Sequence, residues 1–255
     1  MLDTSINEQL RALRLSHMAS DWKSIEREAA QGQESYAWLL HKLCELELDA
    51  REHNRLKRYQ KDSGLSATKT LLSLELGLVC GTTPQTIMNL VENPSWIERG
   101  ENLLLFGASG LGKTHVVSAI GHELIKSGIR GKFFSATALV QQLVQAKKQL
   151  KLNEHLLKLD RYAFIIIDDM GYVSRDAMET SVLFEFINHR YERQTIMVTS
   201  NQSFNEWNKI FPDQSMTVAA IDRLIHHSHI IELQGESHRK QHAEKREKAL
   251  YSQYV

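Results

Sequence analysis

Cysteine, proline and long apolar runs are scarce in this sequence. Its 255 residues include two cysteines, Cys44 and Cys80, and three prolines. Two cysteines are too few for a disulfide framework, and their scarcity is typical of a protein of the reducing cytosol. No apolar run approaches the roughly 20 residues that cross a bilayer, and the first residues lack the basic region of a signal peptide. We therefore expect a cytoplasmic protein without a membrane segment.

An excess of positive charge is also lacking, because 31 Lys and Arg balance 31 Asp and Glu. A neutral chain has no global field that attracts nucleic acid, so any DNA binding must come from a local patch. Arg51, Arg55 and Arg58 are candidates, since their spacing places them on one face of a predicted helix. This face could follow DNA phosphates, or it could be a solvated face neutralised by Glu47 and Glu52.

A glycine-rich stretch dominates the middle of the chain. Residues 107–114 read GASGLGKT and match the phosphate-binding pattern G-x-x-x-x-G-K-[ST] at every fixed position. The apolar run 102–106 predicts a buried strand before it, and residues 115–120 predict a helix after it. Glycines let backbone N–H groups face an anion, and the helix N-terminus attracts negative charge, so a chance glycine turn is the weaker alternative. The predicted phosphate contacts come from Gly107, Ala108, Ser109, Gly110, Leu111, Gly112, Lys113 and Thr114.

The residues in and after this loop indicate ATP and Mg²⁺ as the ligands. Lys113 can reach the β and γ phosphates, and Thr114 can offer its hydroxyl to Mg²⁺. Asp168 and Asp169 end a continuous apolar strand, at the edge where ligands of open α/β sheets bind. Asp168 suits Mg²⁺, and Asp169 suits orientation of the attacking water. The alternative is that both aspartates only form the turn before Gly171.

Three more side chains are candidates for the same chemistry. Asn201 follows the predicted strand 195–199, where it can hold the lytic water or the γ-phosphate, or simply form a turn. Arg223 and Arg239 can each stabilise the charge of a transferring phosphoryl group. Spacing does not choose between these two arginines, and a structural ion pair is the alternative for each.

Two other groups of residues invite a functional interpretation that we do not adopt. His226, His227 and His229 are not expected to bind a metal, because they straddle a helix end and a strand with no cysteine or fourth ligand nearby. The pair Arg190-Tyr191 is expected to pack and hydrogen-bond beneath the sheet.

Hydrophobic periodicity divides the chain into two parts. Residues 5–30 and the stretch from about 35 to 58 predict amphipathic helices, and 82–91 predicts a short helix. From residue 101 strands alternate with helices, which predicts an α/β fold with a parallel sheet flanked by helices. We predict a helical DNA- or partner-binding domain at 1–70 and a P-loop ATPase domain at 71–255. The predicted strands after the glycine loop are 131–135, 163–167, 195–199 and 230–233, and the predicted helices are 137–148, 178–191 and 218–226.

An ordered set of motifs resembles the IstB family, whose members are ATP-binding helper proteins of bacterial insertion sequences. These proteins are similar in turn to DnaC-type AAA+ helicase loaders. The N-terminal stretches LRLSHMA at 13–19 and 45–58 also resemble the family's helical domain, so the resemblance covers nearly the whole chain. The motifs are GASGLGKTH at 107–115, IIIDDMG at 165–171, INHRYERQT at 187–195, VTSN at 198–201, AAIDRLIHHSHIIEL at 219–233 and GESHR at 235–239.

The resemblance implies roles that spacing alone does not give. Asp168 and Asp169 would be the Walker B pair, Asn201 the first sensor, Arg223 an arginine finger acting on a neighbouring subunit, and Arg239 the second sensor. It also implies a homo-oligomer with ATP at subunit interfaces, assembled on duplex DNA beside an integrase-type transposase. The second acid is Asp169 rather than the Glu of many AAA+ enzymes, which would fit slow or partner-stimulated hydrolysis.

Three other functions remain open at the level of sequence. A DnaC-like loader of a replicative helicase would carry the same motifs. A small-molecule P-loop kinase would be a monomer with an arginine-bearing lid, for which the sequence has no lid-like insertion. A non-hydrolysing ATP switch would bind ATP without turnover.

Overall fold

The computed structural model describes residues 2–74, 81–172, 176–202, 206–207 and 214–235. The chain divides into two compact units, Met1–Arg58 and Tyr59–Val255. Residues 59–70, which we assigned to the first domain from the sequence, group with the second unit. One reason is that Asp62 forms an ion pair with Arg130, with 2.6 Å between Oδ2 and Nη2. Within the described ranges, no helix combines the length and the apolarity needed to cross a bilayer.

The first unit is helical, and it differs from the sequence prediction in one respect. The single helix predicted at 5–30 is wrong, because the chain forms α1 (Leu2–Ala12) and α2 (Ser16–Gln31) with a break between them. Arg14 in this break adopts a left-handed φ of 59°, which a helix does not accommodate. The buried carboxylate of Glu47 accepts hydrogen bonds from the backbone N–H groups of His17 (2.9 Å) and Met18 (3.3 Å) at the start of α2. Glu47 belongs to α3 (Tyr36–Ser63), which begins in this unit.

The second unit contains a five-stranded sheet in the order β2-β3-β4-β1-β5. Every neighbouring pair is parallel. The predicted α/β fold is therefore confirmed, including the short helix predicted at 82–91, which is α4. The strands are β1 (Asn102–Phe106), β2 (Gly131–Ser135), β3 (Phe164–Asp168), β4 (Thr195–Ser200) and β5 (Ser228–Glu232), and the helices are α4 (Pro84–Glu92), α5 (Ser95–Glu98), α6 (Lys113–Lys126), α7 (Ala136–Lys148), α8 (Leu152–Leu159), α9 (Ala177–Arg190) and α10 (Gln214–Ile225).

Side chains of the central strands alternate between two apolar cores, one on each face of the sheet. Leu104 and Ile167 point into a core formed with α7 to α10, and Leu105 and Ile166 point into a core formed with α4 and α6. A strand buried on both faces needs an apolar residue at every position, which explains the unbroken run in β3. In the described part of the chain the helices cover the two faces of the sheet, and ligands of such open sheets bind at the carboxyl edge.

Arg190 has the structural role that its sequence position indicated. Its side chain is 1% exposed. One guanidinium nitrogen donates to the carbonyls of Tyr162 (3.0 Å) and Thr195 (3.1 Å), and the other donates to Gln194 Oε1 (2.7 Å). Burial lowers the pKa of Arg190 to about 9, so the group stays charged at neutral pH. These bonds fix the start of β4 relative to the loop before β3, and both strands end at the predicted site.

Candidate nucleotide-binding site

The glycine loop leaves β1 at Phe106 and enters α6 at Lys113, in the strand–loop–helix context that its motif requires. Gly107, Gly110 and Gly112 have φ values of 143°, 89° and 87°, a region that side chains other than glycine rarely adopt. A Cβ atom at Gly107 would also collide with the carbonyl oxygen of Leu233. The glycines of the motif are therefore required by the backbone path.

Lys113 folds back across this loop. The side chain is 5% exposed, and its ammonium donates to the carbonyls of Gly107 (2.8 Å) and Ala108 (3.0 Å). A buried ammonium needs such acceptors, because the charged form is costly to remove from water. Phosphate oxygens are charged and are therefore stronger acceptors than carbonyls. We expect the ammonium to exchange the two loop carbonyls for phosphate oxygens when a nucleotide binds.

Asp168 ends β3 and meets Thr114, the last residue of the glycine motif. Its Oδ1 accepts a hydrogen bond of 2.6 Å from Thr199 Oγ1, and the hydroxyl of Thr114 lies close enough to the carboxylate to favour its charged form. Burial is the main influence on the pKa of Asp168 and raises it, and the nearby charge of Asp169 raises it further. The two hydroxyls and the charge of Lys69 act in the opposite direction. A hydroxyl and a carboxylate in contact are oxygen ligands of the kind that Mg²⁺ takes, so this pair fits a magnesium ion.

Asp169 follows in a left-handed turn, with a φ of 60°. Its backbone N–H donates to Thr199 Oγ1 at 2.9 Å, so one hydroxyl contacts both members of the acidic pair. Asn201 lies against the same turn, since a Cβ atom at Gly171 would collide with Asn201 Oδ1. The ends of β3 and β4 therefore bring Asp168, Asp169 and Asn201 together at one edge of the sheet.

Arg223 has its described contacts elsewhere. Its Nε donates to Asn188 Oδ1 (3.0 Å), its Nη1 donates to the Ala219 carbonyl (2.8 Å), and its guanidinium stacks over Phe184 at 5.3 Å. These partners belong to α9 and to α10 itself, and none of them belongs to the glycine loop. Arg239 lies outside the described residues.

The arginine face of α3 is paired with acids of the same helix. Arg51 Nε lies 2.9 Å from Glu47 Oε1, and Arg55 Nη2 lies 2.7 Å from Glu52 Oε2. These pairs are the ones expected if the face is solvated and neutralised by Glu47 and Glu52. The side chains of Arg51 and Arg55 are nevertheless 54% and 47% exposed, so DNA contact by this face stays a prediction.

Two contributors to the site were missed from the sequence. The first is Thr199, a fully buried threonine in β4 that could have been noticed as a polar residue in a strand of apolar neighbours. The second is the segment 66–74, which crosses the start of α6. The imidazole Nε2 of His115 lies 3.2 Å from the carbonyl of Thr70 and 3.1 Å from Ser73 Oγ. No periodicity in residues 62–80 indicated this contact.

Comparison with known proteins gives one family match and several similar sequences. The family described as IstB-like ATP binding protein matches residues 8–246. An insertion sequence ATP-binding protein of Sinorhizobium fredii is 42% identical over 92% of this chain and 78% of its own length. The ATP-binding protein of insertion sequence IS5376 from Geobacillus stearothermophilus is 36% identical over 92% of this chain and 93% of its own length.

Solved structures share the fold at lower identity. The replication initiator DnaA bound to AMPPCP and single-stranded DNA matches with a TM-score of 0.55 and 20% identity, over 68% of this chain and 52% of that chain. The DnaC helicase loader matches with a TM-score of 0.51 and 20% identity, over 70% of this chain and 99% of that chain. At this level of identity the similarity concerns the arrangement of strands and helices.

Proposed function

This chain belongs to the family of IstB-like ATP-binding proteins, and from that membership we propose that it is an ATP-hydrolysing AAA+ regulator of transposition. In this proposal it assembles in the cytoplasm on target duplex DNA and recruits or activates an integrase-type transposase. The names of the two relatives reported above, which both refer to insertion sequences and ATP, support this assignment.

The observation that carries the proposal is the proximity of the Thr114 hydroxyl, at the end of the glycine motif, to the carboxylate of Asp168. Two motifs that are distant in sequence supply a hydroxyl and a carboxylate to the same point. Thr114 and Asp168 would hold Mg²⁺, which would neutralise part of the charge on the phosphates. Lys113 would bind the same phosphates after releasing the loop carbonyls.

The remaining residues would act on the attacking water and the γ-phosphoryl group. Asp169 orients a water molecule for attack on the γ-phosphorus, the bond to the bridging oxygen breaks, and ADP and phosphate leave. Asn201 lies beside the Asp169 turn and is suited to hold the water or a γ-phosphate oxygen. Arg239 would act as a second sensor within its own subunit.

Arg223 is assigned to the neighbouring subunit's ATP. Its described partners lie on α9 and α10 and not on its own glycine loop. An arginine finger supplied in trans fits this arrangement and makes the active species a homo-oligomer with ATP between subunits. Binding to DNA would be mainly to phosphates, with Arg51, Arg55 and Arg58 as the candidate contacts.

A DnaC-like helicase loader is the second candidate, supported by the common fold. The insertion-sequence relatives favour the transposition role, because the two reported above are 42% and 36% identical to this chain and the helicase loader is 20% identical. If the chain were a small-molecule kinase, it would be a monomer. If it were a non-hydrolysing switch, it would bind ATP without releasing phosphate.

The test compares Lys113→Ala with Lys126→Ala. Lys126 lies at the other end of α6, where it pairs with Glu123 at 2.7 Å, and serves as the matched control. We expect Lys113→Ala to lose ATP binding, phosphate release and ATP-dependent assembly on duplex DNA, while Lys126→Ala retains all three. Electron microscopy with a non-hydrolysable analogue reports assembly, and pull-down by the cognate transposase or by a replicative helicase separates the two candidate partners. Wild-type ATP affinity in Lys113→Ala would contradict the loop assignment.

A further inference from the structure

Glu192, His226 and His227 form a cluster on the surface of the second unit. One ligand atom of each residue lies within 4.8 Å of the corresponding atoms of the other two. The carboxylate comes from the turn after α9, and the two imidazoles follow the end of α10. The sequence alone argued against a metal at these histidines because no further ligand lies nearby in the chain, and the fold supplies one from a separate element.

The local backbone brings these three groups together. Glu192 has a left-handed φ of 57°, at the point where the chain turns from α9 towards β4. Its Oε1 lies 3.7 Å from Nδ1 of His226, and the rings of His226 and His227 have centroids 4.0 Å apart. Both histidines come directly after the carbonyl end of α10, where the partial negative charge of the helix favours a cation.

Other polar groups surround the cluster and influence whether it can bind an ion. The hydroxyl of Tyr191 lies 2.8 Å from Nδ1 of His226, so an ion on this nitrogen must displace that hydrogen bond. The guanidinium of Arg223 lies 5.9 Å from the Tyr191 ring and opposes a nearby cation, whereas the carboxylate of Asp222 attracts one. All three ligand residues are exposed, so an ion can reach them from solvent without a change in the core.

We propose that Glu192, His226 and His227 bind one zinc-class divalent metal ion. Two imidazole nitrogens and one carboxylate oxygen are a common donor set for Zn²⁺, and the fourth position stays open to water. Mg²⁺ and Ca²⁺ take oxygen ligands and are not expected here, which separates this site from Thr114 and Asp168. A bound ion joins the end of α10 to the α9–β4 turn, close to Arg223. The inference does not depend on the proposed function, because binding is measured without ATP.

The test is a calorimetric titration of the tag-free, chelator-treated full chain with ZnCl₂, in excess Mg²⁺ so that oxygen sites are already filled. We expect one site per chain in the native protein. His226→Ala, His227→Ala and Glu192→Gln each remove a ligand and should weaken binding by more than the about 10- to 100-fold that loss of an outer-shell partner costs. His229→Ala is the matched control, because His229 belongs to the same histidine run but pairs with Glu101 at 3.0 Å.

Thermal melts with and without zinc check that each variant is folded. The native protein and His229→Ala should melt at a higher temperature with zinc, and the three ligand variants should not, since only a ligand bound to the folded state stabilises it. Glu192→Gln keeps the size of the side chain. Its zinc affinity therefore tests the proposal even if a histidine variant fails to fold. Absence of zinc binding, unchanged affinity in Glu192→Gln, or equal weakening in His229→Ala would each overturn the proposal.

Discussion

Thr199 Oγ1 donates a 2.6 Å hydrogen bond to Oδ1 of Asp168 at the carboxyl edge of the sheet. The same oxygen accepts the backbone N–H of the following aspartate at 2.9 Å. β4 therefore determines where the carboxylate at the end of β3 points, although the two strands have no motif in common. Thr199 acts as a positioning residue for the acidic pair.

Replacing Thr199 with Val tests this positioning role. Valine keeps the shape of the side chain but leaves a buried carboxylate oxygen and a partly buried N–H without their partner, which costs about 1–3 kcal/mol. We expect Mg²⁺-dependent ATP turnover to fall about 10- to 100-fold, as for loss of other residues that orient a metal ligand. Thr199→Ser retains the hydroxyl and should stay close to wild type. Equal rates for the Val and Ser variants would show that the hydroxyl is not needed.

Asp168 should destabilise the nucleotide-free protein at neutral pH. Burial raises its pKa above the ordinary value of 3.8, so the folded state carries an unfavourable carboxylate once the pH exceeds the raised pKa. As the pH falls through the raised pKa the group is protonated in the folded state, and the cost disappears. Asp168→Asn should therefore melt higher than wild type at about pH 7.5, by about 2–4 °C for each kcal/mol relieved. This difference in melting temperature should shrink towards about pH 4. All melts contain a chelator. A lower melting temperature for Asp168→Asn than for wild type at neutral pH would contradict this account.

The arginine face of α3 is tested by the salt dependence of DNA binding. Arg51, Arg55 and Arg58 are best changed to Gln, because a Glu at position 51 would face the buried Glu47. Removing each arginine–phosphate interaction should reduce the slope of log affinity against log salt by about 0.9, for all DNA sequences alike. A control triple at Arg11, Arg27 and Lys42, also in the first unit, should keep the native slope. An unchanged slope in the variant that lacks all three arginines of α3 would show that DNA binds to another surface.

Arg223 and Asp169 should complement each other across subunits. Arg223→Ala alone should be nearly inactive, because an arginine finger typically contributes about 10³–10⁵ in rate. Asp169→Asn alone should also be nearly inactive. In a mixture, some interfaces combine an intact Arg223 with an intact Asp169, so phosphate release should partly return, and more so on DNA.

Asn188→Ala is the control for this experiment. It removes the hydrogen bond to Arg223 Nε but keeps the guanidinium, so most of the activity should remain. Co-assembly of the two variants is measured directly by labelling each with a different fluorophore. A mixture that co-assembles and stays inactive would mean that Arg223 does not act across an interface.

Much of the fold could be predicted because its signals are local. The glycine loop and the unbroken apolar run of β3 each identify a strand and its surroundings from a few adjacent residues. Helix α8 was missed, although Leu152, Leu156 and Leu159 have helical spacing and are all buried. The break at Arg14 was missed because apolar residues continue across it at near-helical intervals.

Contacts between distant segments could not be predicted in the same way. The approach of Thr199 to Asp168 depends on β3 and β4 being neighbours in register, with Ile167 opposite Val198. The crossing of α6 by Thr70 and Ser73, and the meeting of Glu192 with His226, depend on loop paths that carry no periodic signal. The role of Arg223 also stays a prediction, since contacts within one chain do not determine a function between subunits. That of Arg239 stays a prediction because this residue lies outside the described ranges.

The left-handed backbone at Asp169 favours a short acid at this position. Among residues with side chains, Asp and Asn tolerate this conformation best, and a longer side chain such as Glu meets a backbone cost of roughly 1–2 kcal/mol. A glutamate at this position would carry that backbone cost, as Glu192 does at its φ of 57°, so the shorter acid is favoured by chain geometry as well as by chemistry. The same handedness makes Asn the appropriate substitution in kinetic work, because Asp169→Ala would mix the loss of the carboxylate with a change in backbone strain.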